Sequence, residues 1–159
     1  MAIQVMIEKE GEWTRVRFQG VLNEEAETKL KDIGQQLGPK VYINFGKIES
    51  INSLGVRAWI GFLRDAQKNR TIMFEECTPE VVSQMNMIPN FRGIAAIKSV
   101  YGQFICNSCN HSMNVLFEQG KNLPKSATDS LPPVVCPKCS SEMELAELDE
   151  EYLAWVDAA

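Results

Sequence analysis

The chain has 159 residues, 45% hydrophobic and 23% charged, with a formal net charge of −5. That length suits one or two small domains, and the composition excludes collagen-like and disordered chains. No apolar run approaches the ~20 residues of a membrane span, and the start M-A-I-Q-V-M-I-E-K-E lacks the basic residues and long apolar core of a signal peptide, so a cytoplasmic protein is expected.

The charge is unevenly placed. Residues 1–100 hold 13 Lys and Arg against 12 Asp and Glu, whereas residues 101–159 hold 3 against 9. An acidic second part repels phosphate backbones, which argues against nucleic acid as its partner. Taken in order, Ile3, Val5 and Ile7 alternate as a strand, Glu10-Gly11 turns, and Trp13, Val16 and Phe18 mark a second strand, so the pair reads as a hairpin. Gly20-Val21-Leu22 leads out. Asn23 reads as a helix N-cap, with Ala26, Leu30, Ile33 and Leu37 at helical spacing before Gly38-Pro39. Val41, Ile43 and Phe45 form a third strand. Gly46–Ile51 is expected to carry the chain out of the sheet. Asn52 or Ser53 then caps a helix whose Val56, Trp59, Ile60 and Leu63 share one face.

A short strand follows at 71–74, then a helix capped by Thr78 and opened by Pro79, with Val81, Val82 and Met85 inward. Pro89 and Gly93 mark a turn, and 94–101 reads as a last strand. Met85, Met87, Ile88 and Phe91 are expected to lie mostly in the core, one or two of them being left for a contact. Strands separated by helices require crossovers, so the class is α/β with a parallel or mixed sheet.

The strand, loop and helix around Asn52-Ser53-Leu54-Gly55 resemble the STAS domain of bacterial anti-sigma-factor antagonists and of sulfate-transporter tails, over about residues 1–100. In that family a strand leads to an aspartate, two serines and a glycine. Here Asn52 replaces the acid, and Leu54 stands where the usual phosphoacceptor precedes the glycine. A leucine accepts no phosphate. Ser53 is then either a displaced phosphoacceptor or, the favoured reading, a plain helix-start residue. The resemblance implies a partner contact through Asn52, Ser53, Leu54, Gly55 and Arg57.

From about Tyr101 aliphatic residues thin out, and residues 101–159 read as a second unit. Cys106-Asn-Ser-Cys109 and Cys136-Pro-Lys-Cys139 stand 26 residues apart. Each pair places two thiolates on one tight turn, and two such halves close a tetrahedral site. The pattern resembles a zinc ribbon, with strands at 113–118 and 143–146, holding one structural Zn²⁺. Iron in a rubredoxin-like site has the same ligand geometry and stays open. Four thiolates leave no position for a substrate, so catalytic zinc is disfavoured. His111, the single histidine, reads as a neighbour of the knuckle, and Cys77 as a semi-buried filler. Glu147–Val156 reads as a short amphipathic helix that docks on its own chain or on a dimer mate.

No phosphate-binding glycine loop, nucleophile elbow or acid pair is visible, so no enzyme is expected. The expected function is a non-catalytic protein-interaction module in bacterial signalling or transcription regulation. Its partner would be a kinase-like anti-sigma factor or another regulator, and homodimerisation is left open. Two alternatives stand beside it: a transcription-associated protein that reads nucleic acid through the ribbon, and a sensor of a small ligand such as a nucleotide or lipid.

Overall fold

A computed structural model describes residues 3–157. The hairpin expected at the start is present: β1 (Gln4–Glu10) pairs antiparallel with β2 (Trp13–Leu22), and Gly11 takes the positive φ of 61° that the turn requires. Helix α1 (Ala26–Gly34) follows, then β3 (Lys40–Ile51), α2 (Ser53–Ala66) and β4 (Thr71–Glu75). Next come α3 (Pro79–Met87), the single turn α4 (Pro89–Arg92) and the short β5 (Ala96–Ile97). The first sheet runs β1-β2-β3-β4-β5, parallel from β2 onward.

Alternation along the strands decides which face the helices cover. Val16 and Phe18 of β2, Val41, Ile43 and Phe45 of β3, and Ile72 and Phe74 of β4 are all buried. Trp59 of α2 sits over them, its ring edge-on to Phe18, Phe45 and Phe74 at 5.3–5.9 Å. Its indole N–H donates to the Phe91 carbonyl at 2.8 Å, which satisfies a polar group the core would otherwise strand. Aromatic rings packed edge-on gain on the order of 1 kcal/mol per pair beyond area burial. The opposite face is polar. Trp13 stacks on Tyr42 at 4.2 Å, Arg15 lies over Tyr42, and Arg15 and Lys98 hold the buried Glu75.

Several boundaries differ from expectation. β3 does not end at Phe45 but continues to Ile51, because β2 also continues and pairs with it, Gly20 opposite Ile48 and Leu22 opposite Ile51. That pairing satisfies the backbone through a stretch whose Gly46, Lys47 and Glu49 suggest a loop. Asn23 does not cap α1 directly. Its side chain accepts from Glu25 N–H and its carbonyl from Ala26 N–H, a turn that feeds the helix. Pro89 opens a helical turn. Met85 and Phe91 are buried, whereas Met87 is 63% exposed.

The expected last strand bends at Lys98 and goes on as β6 (Ser99–Ile105), the start of a second, antiparallel sheet. That sheet has the order β7-β6-β9-β8, with β7 (Ser112–Glu118), β8 (Val134–Val135) and β9 (Glu142–Leu145). β7 and β9 fall within one residue of the strands read from sequence at 113–118 and 143–146, while β8 is too short to show there. The sheets are stitched at Cys77, which bridges Val100. Cys77 N–H donates to Ser99 O at 3.1 Å, and Tyr101 N–H donates to Cys77 O at 2.7 Å. Cys77 is therefore fully buried rather than semi-buried, and burial pushes its thiol far above the ordinary range.

The C-terminal segment is not one ten-residue helix. It forms the turn α5 (Asp149–Tyr152) and a 3-10 turn (Ala154–Asp157), which lets Tyr152, Leu153 and Trp155 all point inward. Asn86 of α3 ties it down, donating to the Glu151 and Tyr152 carbonyls and accepting from Trp155 N–H at 2.9 Å. The Tyr152 hydroxyl donates to Tyr101 O at 2.7 Å.

Candidate functional site

Two surfaces carry the residues singled out above. The first is the cysteine cluster. β6 and β8 each run straight into a knuckle. Cys106 N–H donates to His111 O and Asn110 N–H to Cys106 O, both at 2.8 Å; Cys136 N–H donates to Ser141 O at 2.8 Å and Ser140 N–H to Cys136 O at 2.9 Å. The two turns are thus built alike. Each places a polar residue at positive φ after its second cysteine, Asn110 at 63° and Ser140 at 64°. Sequence reading missed these two positions, although a small polar residue follows each pair and tolerates that backbone.

The turns face each other. All four sulfurs lie within 4.8 Å of one another, Cys106 Sγ 3.4 Å from Cys139 Sγ and Cys109 Sγ 3.6 Å from Cys136 Sγ. A tetrahedron with metal–sulfur bonds of about 2.3 Å has edges of about 3.8 Å, so the donor set fits a thiolate-bound ion. The electrostatics point the same way. Hydrogen bonds from the Ser141 side chain and backbone hold the Cys139 thiol down at about 6. The hydrogen bond from the His111 backbone lowers Cys109, but desolvation and its three sulfur neighbours outweigh it and push Cys109 up to about 12. Negative charges on sulfurs this close repel, and a cation among them removes the conflict. Cys106 and Cys136 are buried and Cys109 and Cys139 exposed. His111 shapes its knuckle through its main chain.

The second surface is the start of α2. Asn52, not Ser53, is the N-cap: its side-chain oxygen accepts from Gly55 N–H at 2.8 Å, and its amide donates to Glu24 at 3.2 Å. Gly55 is buried where α2 crosses the end of β2. A Cβ there would stand 2.0 Å from the Leu22 carbonyl oxygen, so the approach requires glycine. Asn52, Ser53 and Arg57 are exposed, and Leu54 is 48% exposed. Leu54 and Arg57 also border a groove of about 830 Å³ between α1 and α2.

No protein-family model matches the sequence, and no curated protein does either. The fold has solved counterparts. An anti-sigma factor antagonist from Mycobacterium paratuberculosis superposes with a TM-score of 0.51 at 12% identity, over 60% of this chain and 85% of its own. The five-stranded unit has the STAS fold. The anti-sigma factor antagonist SpoIIAA in its unphosphorylated form is also similar, with a TM-score of 0.47 and 17% identity over 59% of this chain and 87% of its own. At these identities the likeness is one of architecture. No helix among the described residues is long and apolar enough to cross a membrane.

Proposed function

We propose that this chain is a non-catalytic protein-interaction module of bacterial signalling or transcription regulation, similar in role to anti-sigma-factor antagonists but without their phosphoacceptor. Its partner is a regulator protein, with a kinase-like anti-sigma factor the leading class, met in the cytoplasm. The STAS fold shared with the anti-sigma factor antagonist from Mycobacterium paratuberculosis supports the reading. The observation that carries it is the start of α2, where the Asn52 cap and the Gly55 approach fix a rigid corner that leaves Leu54 and Arg57 exposed. An exposed apolar side chain on a fixed backbone and flanked by a cation is suited to specific contact, because little backbone entropy is lost on binding. Ser53 in this reading starts the helix and is not a phosphoacceptor.

Cys106, Cys109, Cys136 and Cys139 hold one structural Zn²⁺ in a ribbon spanning residues 101–159. When bound, the ion fixes both knuckles and so the ends of β6 and β8. A unit of under 60 residues with so little apolar core depends on such a staple.

The test is capture from native lysate by the wild-type chain, Leu54→Asp and Met6→Asp. One specific protein should be lost with Leu54→Asp and kept with Met6→Asp, since Met6 is more exposed than Leu54 but lies on β1. Equal capture by both variants would move the contact elsewhere. Metal analysis should return about one zinc per chain; a red, iron-loaded sample would assign a rubredoxin-like centre instead.

A further inference from the structure

Most carboxylates on and beside the first sheet's polar face meet a cation, Glu49 and Glu76 excepted. Glu8 pairs with Arg17, Glu10 with Arg15, Glu12 with Lys40, and Glu75 with Arg15 and Lys98. The second sheet differs. On its outward side Ile105 stands opposite Glu144 and Val135 opposite Glu142, and side chains directly opposite in antiparallel strands share a face. Ile105 is 36% and Val135 58% exposed, unusual for aliphatic residues in a small sheet. Two residues further along the same face, Gln103 and Ala146 border a cleft of about 370 Å³ between α3 and the end of β9, with Glu80 and Glu147 also in its lining. No Lys or Arg lines that cleft among the described residues. None of Glu80, Glu142, Glu144 and Glu147 has an ion pair among the described residues. Partial burial and the neighbouring Glu151 push the Glu147 carboxyl up.

We infer that this outward face, together with the cleft, is a docking surface for a basic segment of a protein partner. The segment sets lysine or arginine against the four carboxylates and an aliphatic side chain against Ile105 and Val135. Clustered like charges repel until a cation meets them, so charge complementarity here favours a basic chain and penalises nucleic acid. A metal ion does not meet the geometry, because the cysteines are the one group of three or more ligand residues that converges among the described residues. The surface is separate from the start of α2, and its test does not depend on what binds there.

The test titrates the zinc-loaded 159-residue chain with a short synthetic peptide alternating lysine and leucine, read by amide chemical shifts. Saturable shifts are expected at Gln103, Ile105, Glu142–Glu147 and the first turn of α3. Glu80→Gln combined with Glu144→Gln and Glu147→Gln should weaken binding about tenfold or more, while Glu49→Gln, which removes an exposed carboxylate from the first sheet, leaves it within about twofold. Raised salt should weaken it as well. Non-saturable shifts, unchanged affinity in the triple variant, equal binding of a glutamate–leucine peptide, or preference for a single-stranded oligonucleotide would each overturn the inference.

Discussion

Replacing Gly55 with alanine isolates the contact that shapes the start of α2. In an exposed helix the change would stabilise by about 1 kcal/mol. Here the new Cβ would meet Leu22 O at 2.0 Å, Leu22 C at 2.4 Å and Asn23 N at 2.8 Å, all backbone atoms, so no side-chain rotation relieves it. The helix start must retreat from the end of β2 by about an ångström or more, which strains the hydrogen bond that spans the gap, Asn52 N–H to Leu22 O at 3.0 Å, and the cap bond beside it, Gly55 N–H to Asn52 Oδ1 at 2.8 Å. Overpacking costs about 1–3 kcal/mol, and the strained cap and hydrogen bond add about 1 kcal/mol each. Less the propensity gain, the net is a destabilisation of about 2–4 kcal/mol. Urea unfolding followed by circular dichroism should show this as a lower midpoint at unchanged slope. A Gly55→Ala chain as stable as its parent would refute the close approach of α2 to β2.

Other consequences can be measured independently. At the proposed zinc site Cys109→Ser would remove an exposed sulfur without disturbing the core, so zinc bound there should be released to a chelator that the parent resists, and the amides of β7–β9 should lose hydrogen-exchange protection while those of β2–β4 keep theirs. After metal removal four thiols should react with a water-soluble maleimide and Cys77 should not until the chain unfolds, because it is buried and its thiolate is disfavoured; five reactive thiols in the native state would contradict the stitching of the two sheets. Asn86→Ala deletes three hydrogen bonds to the C-terminal segment and should cost about 2–3 kcal/mol, with limited proteolysis cutting after residue 146 first. Tyr152→Phe, losing only the bond to Tyr101 O, should cost about 1 kcal/mol.

Local physics made much of this chain legible from sequence. Alternation placed Val41, Ile43 and Phe45 on one sheet face, 3.6-residue spacing put Val56, Trp59 and Leu63 into the core, and Thr78-Pro79 marked the start of α3. The paired Cys-x-x-Cys turns foretold the sulfur cluster because each pair is a local motif. Such signals depend on neighbours within a few residues, which a sequence displays directly.

What lay beyond reach depends on partners distant along the chain. The continuation of β3 to Ile51 exists because β2 lies alongside it, and Cys77 is buried because β6 returns to bridge it. The tail breaks into two turns so that Tyr152 and Trp155 can meet Tyr101 and Asn86, more than fifty residues away. Likewise, the balance of charge was known from composition, but only folding sorted the acids into those that found a cation and those left facing solvent together. Long-range pairing overrides local preference wherever it satisfies more backbone and buries more surface, and a sequence does not display that competition.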